Sequence, residues 1–170
     1  TDGGATYVQV AKLTASDAAG GDYFGISVAI DGATVVIGAS YDDDAGERSG
    51  SAYVFALPAP TDYAETAKLT AGDGASRDYF GESVAIDGDT VVVGAYGDDD
   101  DGTMSGSAYV FRTSDGGATY VMVAKLTASD AAASDNFGHS VAIDGGTVVV
   151  GASQPYGGSG ATYVFRTTDG

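Results

Sequence analysis

The chain has 170 residues, no cysteine and a formal net charge of −17, with 24 acidic groups against 7 basic ones. Disulfides, zinc–thiolate sites and cysteine nucleophiles are excluded, no apolar run approaches the roughly 20 residues of a membrane-spanning helix, and the charge repels nucleic acid and anionic lipid. Aspartate outnumbers glutamate 21 to 3 and glycine reaches 27 residues, a composition of tight turns and cation-attracting loops rather than of helix surfaces.

Residues 7–13 (Tyr-Val-Gln-Val-Ala-Lys-Leu) alternate apolar with polar positions, the pattern of an outer, half-exposed strand. A loop with Asp17 and Asp22 then leads to Phe24-Gly25. Residues 26–30 (Ile-Ser-Val-Ala-Ile) predict a strand, and Asp31-Gly32 predicts a tight hairpin, because such a turn needs positive φ. Residues 34–39 (Thr-Val-Val-Ile-Gly-Ala) do not alternate. A continuous β-branched run of this kind predicts a strand covered on both faces, as in a propeller blade walled by neighbours. The acidic loop Asp42-Asp43-Asp44 and a strand at 51–55 (Ser-Ala-Tyr-Val-Phe) complete the unit. No segment carries sustained helical periodicity.

The unit occurs three times. Phe24-Gly25 returns as Phe80-Gly81 and Phe137-Gly138, 56 and 57 residues on. Lys12-Leu13-Thr14, Gly38-Ala39 and Tyr53-Val54-Phe55 return in the same order, with Tyr109 and Tyr163 in the place of Tyr53. The fourth strand of the later copy is residues 120–126. The copies are read as 1–57, 58–112 and 113–170, together one partial or self-assembling propeller. Gly38 to Tyr53 and Gly94 to Tyr109 each span 15 residues, but Gly151 to Tyr163 only 12, and loops absorb such deletions. Thr168-Asp169-Gly170 repeats Thr1-Asp2-Gly3 in phase, so the reading is of three whole periods of a larger array.

The signature Phe-Gly-x-Ser-Val-Ala-Ile, then Val-Val-(Val/Ile)-Gly-Ala, then Tyr-Val-Phe, resembles the FG-GAP repeats best known from integrin α subunits. With Ala-Lys-Leu-Thr-Ala ahead of Phe-Gly it is most similar to bacterial and algal secreted versions. The resemblance implies an all-β fold of three tandem four-stranded antiparallel blades. It also implies an extracellular or cell-surface location and a role in adhesion, ligand binding or surface architecture. The integrin cation loop between the first and second strands is replaced here by a short Asp-Gly turn, so that metal site does not carry over.

Topology alone gathers the acidic loops. In an antiparallel four-stranded blade, the link into the first strand and the link between strands two and three lie at the same end. Asp17, Asp22 and their counterparts Asp73, Asp78, Asp130 and Asp135 thus share a rim with Asp42-Asp43-Asp44 and Asp98-Asp99-Asp100-Asp101. Calcium, held by Asp42, Asp44, Asp98, Asp100 and Asp101, is one expectation, because Gly-rich loops can supply six to eight oxygens to it. A solvated acidic rim is the other. The third copy carries Gln154-Pro155-Tyr156 there, with no acid. The recurring Asp17 and Asp22 are expected to fix turns through backbone amides.

Enzymatic readings find little support. His139 is the single histidine and has no fixed partner. No Gly-x-Ser-x-Gly elbow is present, and the aspartates sit on loops without the aromatic cleft of a glycosidase. Lys12, Lys68 and Lys125 are expected to pair with aspartates or face solvent, and Tyr53, Tyr109 and Tyr163 to pack between blades. Asn136 starts no glycosylation sequon.

Propellers close with about four to eight blades, and an arc of three leaves two apolar faces. The expected function is therefore a non-enzymatic extracellular structural or adhesive module that self-associates through blade faces, as ring or filament, or adjoins further blades of a longer chain. The alternative is a ligand-binding propeller that recognises a protein or glycan on its loop face, with calcium as a cofactor. Neither nucleic acid nor membrane insertion is expected.

Overall fold

The computed structural model describes residues 7–59, 62–154 and 158–167. The in-phase ends Thr1-Asp2-Gly3 and Thr168-Asp169-Gly170, and Pro155-Tyr156 of the third acidic-loop position, lie outside them. The described residues contain strands and turns and no helix. Sheet one runs β1 (Val28–Asp31), β2 (Thr34–Ala39), β3 (Ser51–Ala59) and β4 (Asp62–Leu69) in chain order. Sheet two repeats this with β5 (Ser83–Asp87), β6 (Thr90–Ala95), β7 (Ser107–Arg112) and β8 (Val121–Leu126). Sheet three has β9 (Phe137–Asp144), β10 (Thr147–Ala152) and β11 (Ala161–Arg166), three strands rather than the expected four among the described residues. All pairings are antiparallel.

Residues 7–13, expected as a strand, belong to no sheet. The reason is an offset of one strand between the sequence unit and the sheet. The segment that opens copy two, β4, hydrogen-bonds β3 of copy one, and β8, which opens copy three, hydrogen-bonds β7 of copy two. Each sheet is thus closed by the following copy. Among the described residues no sheet stands ahead of 7–13 for them to close, and Tyr7, Val8 and Val10 are exposed.

Successive sheets stack face to face over apolar cores. Val36, Ala52 and Val54 of sheet one meet Val91, Val93, Tyr109 and Phe111 of sheet two. Val92, Ala108 and Val110 of sheet two meet Val148, Val150 and Phe137 of sheet three. The same alternation that sends odd and even strand positions to opposite faces makes β6 and β7 of the middle sheet contribute to both cores.

The signature residues form the seam between sheets. Ser27 Oγ donates to the Gly81 carbonyl at 2.7 Å, and Ser83 Oγ to the Gly138 carbonyl at 2.8 Å. Gly38 and Gly94 lie so close to those carbonyls that a Cβ on either would collide with backbone. Gly50 and Gly106 likewise receive the backbone of Phe80 and Phe137 in bridges between sheets. Asp-Gly turns add a further rung: Gly88 N–H donates to Asp31 and Gly145 N–H to Asp87, at 2.7 and 2.6 Å.

Candidate functional site

On the loop rim two equivalent polar knots stand over sheets one and two. In the first, Lys68 at the end of β4 reaches Asp17 Oδ2 at 2.6 Å, Asp42 Oδ2 at 3.1 Å and Asp44. The Tyr53 hydroxyl lies 2.8 Å from Asp17 Oδ1 and 2.9 Å from Asp42 Oδ2, so one proton is shared between two carboxylates. In the second, Lys125 meets Asp73, Asp98 and Asp100 at 2.7, 2.9 and 2.5 Å, and Tyr109 bonds Asp73 and Asp98. Each ammonium thus offers three N–H donors to three carboxylates.

The local sequence builds these knots. Asp42 and Asp98 are buried and cap their own loops, accepting the N–H of Asp44 and Asp100 at 3.1 Å. A buried carboxylate needs a nearby counter-charge, and the lysine one strand away supplies it. Burial opposes the charged form of Lys68 and Lys125, but their carboxylate partners outweigh it and hold both pKa values above the ordinary range. Burial, together with the adjacent carboxylates, raises Tyr53 and Tyr109. Asp17 is lowered, chiefly by its bond to Lys68. Asp73 is raised by burial but lowered more by Lys125 and Tyr109, for a net fall.

The expected metal-ligand residues are therefore only partly assembled. Asp42 and Asp44 come together with Asp17, and Asp98 and Asp100 with Asp73, each trio within 4.8 Å. Asp101 stays outside the trio, its N–H bound to Ser105 Oγ. Asp22, Asp78 and Asp135 fix turns, accepting the N–H of Ala19, Ala75 and Ala132. Sheet three holds only a fragment of the knot, a Tyr163 hydroxyl on Asp130 at 2.8 Å. Among the described residues Lys12, the third lysine in phase, makes no ion pair.

A second rim feature was not anticipated. Tyr23, Tyr41, Tyr79, Tyr96 and His139 form one aromatic ladder across all three sheets, with successive ring centroids 4.2, 5.5, 4.9 and 5.7 Å apart. Arg48 lies 4.7 Å from the centre of the Tyr41 ring. The one in-phase pair is Tyr23/Tyr79, since Tyr41 and Tyr96 stand one position out of register with each other. The Tyr23–Tyr41 and Tyr79–Tyr96 contacts join two loops of one copy, and the Tyr41–Tyr79 and Tyr96–His139 contacts join successive copies.

Sheet topology, glycine seam and rim define a tandem array of propeller-type blades. The chain belongs to the FG-GAP repeat family, whose model matches residues 7–55, 63–111 and 120–165. No curated protein matches the chain. Among solved structures it is similar to the computationally designed Ika4 protein, at 13% identity and a TM-score of 0.37, covering 95% of this chain and 99% of that one. Among the described residues no helix is long and apolar enough to cross a membrane.

Proposed function

We propose that this chain is a non-enzymatic structural or adhesive module, extracellular or at the cell surface, that associates with itself through its sheet faces as a ring or filament. The observation that carries this reading is the contrast between equivalent residues inside the stack and at its ends. Val28 and Ile30 on the outer face of sheet one are 68% and 66% exposed, while Val84, the counterpart of Val28, is 9% exposed. At the other end Val164 is 63% exposed, against 8% for Val110 and 0% for Val54. Burying one such side chain is worth about 1.5–3 kcal/mol. Several on each face supply a driving force that the charge of −17 opposes at low salt.

Light scattering over a concentration series, with electron microscopy of the same samples, tests this. Discrete rings or filaments are expected, growing as ionic strength rises. A monomer at all concentrations and salts would sink it.

The aromatic ladder favours a second reading, a propeller that recognises a ligand on its loop face. Exposed Tyr23 at one end and His139 at the other, with Arg48 alongside, suit a glycan or protein surface with apolar and polar parts. In this reading calcium joins the rim through the two aspartate trios and displaces the lysine ammonium. Glycan-array binding lost in Tyr23→Ala and Tyr79→Ala variants would support it; unchanged binding would not.

A further inference from the structure

We infer that residues 7–13 of one copy form the fourth strand of sheet three in a second copy. The donor's sheet one then packs on the acceptor's outer face. The inference rests on the self-association reading above and specifies its junction.

Register points to this junction. Residues 7–17 differ from 120–130 at one position only, Gln9 against Met122. Residues 120–126 include β8, which pairs β7 through Ala108↔Leu126, Tyr109↔Lys125 and Val110↔Ala124, with a bulge before Phe111↔Met122. β4 pairs β3 with the bulge at the same place. Transferred to β11, whose outer edge is unpaired among the described residues, this register sets Leu13 against Thr162, Lys12 against Tyr163 and Ala11 against Val164. Lys12 then arrives beside Asp130 and Tyr163, as Lys68 and Lys125 stand beside Asp17 with Tyr53 and Asp73 with Tyr109. The single unpaired phase lysine and the single incomplete knot are complementary.

The seam points to the same junction independently of the strand. Sheet three ends in an open socket lined by Ser140, Gly151, Ala152, Gly160 and Ala161, the counterparts of Ser83, Gly94, Ala95, Gly106 and Ser107. In the inner seam those positions receive Phe137-Gly138. At the opposite end of the stack Phe24-Gly25 is the matching insert. A Cβ on Gly25 would meet nothing, whereas one on Gly81 or Gly138 would strike the preceding sheet. Placing Phe24-Gly25 in the socket also sets Gly32 N–H toward Asp144, repeating the Asp31–Gly88 and Asp87–Gly145 rungs. Strand and seam demand the same placement of the second copy, since in the covalent chain each fourth strand runs directly into the sheet that packs next.

The donor must be another copy. Ala15 is buried against sheet one among Ile37, Tyr53 and Phe55, and Ser16 is held by Glu65 at 2.8 and 2.9 Å. Residues 7–13 therefore leave from the end of the stack remote from sheet three. The contact is heterologous, so it either closes into a ring of few copies or propagates as a filament, by strand addition to an exposed edge.

The cysteine-free chain allows a direct test. Ala11→Cys and Val164→Cys variants are prepared separately, mixed and mildly oxidised, so that any 11–164 bridge is intermolecular. The expected product is predominantly the mixed disulfide dimer, and Lys12→Ala in the donor lowers its yield severalfold. Assemblies in light scattering without an 11–164 bridge, or with symmetric dimers dominating, would overturn the exchanged strand and leave face-to-face association standing. A bridge that forms only within a single chain carrying both cysteines would overturn it too. A 170-residue chain that is monomeric throughout would overturn both.

Discussion

β6 and β10 carry the same six residues, Thr-Val-Val-Val-Gly-Ala, yet they live in different surroundings. In β6 every residue after the threonine is buried; in β10 buried and half-exposed positions alternate. The strand's chemistry is constant, and what changes is whether a sheet lies on one side or on two. Sheets two and three differ in the same way at the rim. Sheet two has a complete lysine–tyrosine–aspartate knot, sheet three only Tyr163 on Asp130. Burial and charge pairing in this fold belong to the junction between units, not to the unit.

The seam glycines offer the sharpest way to break that comparison. Gly94→Ala drives a methyl into the Gly138 carbonyl and should cost about 3 kcal/mol, whereas Gly151→Ala, which meets only the Ser140 side chain, should cost the monomer under about 1 kcal/mol. Urea unfolding of both variants measures the difference. Equal losses would mean that the crowding arises within a sheet rather than between sheets.

Next in size is the lysine pair. Lys125→Met leaves the buried carboxylate of Asp98 without its cation and should destabilise by about 2 kcal/mol, less than for a fully buried pair because water reaches part of the knot. Lys12→Met should change monomer stability by less than about 0.5 kcal/mol. Thermal melts at a concentration too low for association separate the two.

The pH dependence follows from the same groups. Asp17 and Asp73 have folded pKa values below the unfolded value of about 3.9. Their stabilisation is therefore complete above that value and is lost as pH falls through the lower folded values. Asp78, raised by burial, opposes this on the acid side. Lys68 and Lys125 are raised, so their contribution is complete below about 10.4 and is lost as pH climbs through the folded values. Stability should be flat from about pH 5 to 10 and fall at both ends. In Lys125→Met the alkaline fall should shrink. An unchanged alkaline limb would remove the lysines from the account.

Calcium should have the smallest effect. With an ammonium already among the three carboxylates, millimolar calcium should barely raise the melting temperature, and a chelator should barely lower it. Lys125→Met, with Asp73, Asp98 and Asp100 uncompensated, should respond more strongly. An equally large response in the unaltered chain would mean that the ion displaces lysine.

Much of this was legible in the residues. The in-phase Phe-Gly, Gly-Ala and Tyr-Val-Phe landmarks placed β2, β6 and β10 at their observed bounds, and the antiparallel order put Asp17 on the same rim as Asp42, which the structure brings together in one trio. The lysines were expected to find aspartates, and Lys68 and Lys125 do. Tyr109 packs between sheets one and two as expected, whereas Tyr53 packs edge-on against Phe24 of its own copy, and the hydroxyls of both have the further task of tying the rim. The pairing of residues 7–13 could not be read, because a repeat pattern has the same period whichever sheet its boundary strand joins. Nor could the tyrosine ladder, whose members come from loops with no mutual spacing rule. Asn136 sits at φ 53° where the other copies have Tyr23 and Tyr79 at 59° and 55°. That shows the backbone bend before Phe-Gly to be fixed by its surroundings rather than by residue type.

The one-strand offset has a wider consequence. Since every blade borrows its last strand from the copy that follows, cutting such an array anywhere between units yields a segment with a spare ribbon at its front and a vacancy at its back. The two are complementary by construction, whatever the number of units. Duplication or loss of whole copies would therefore leave the two ends complementary, so the length of the array could change without altering their fit.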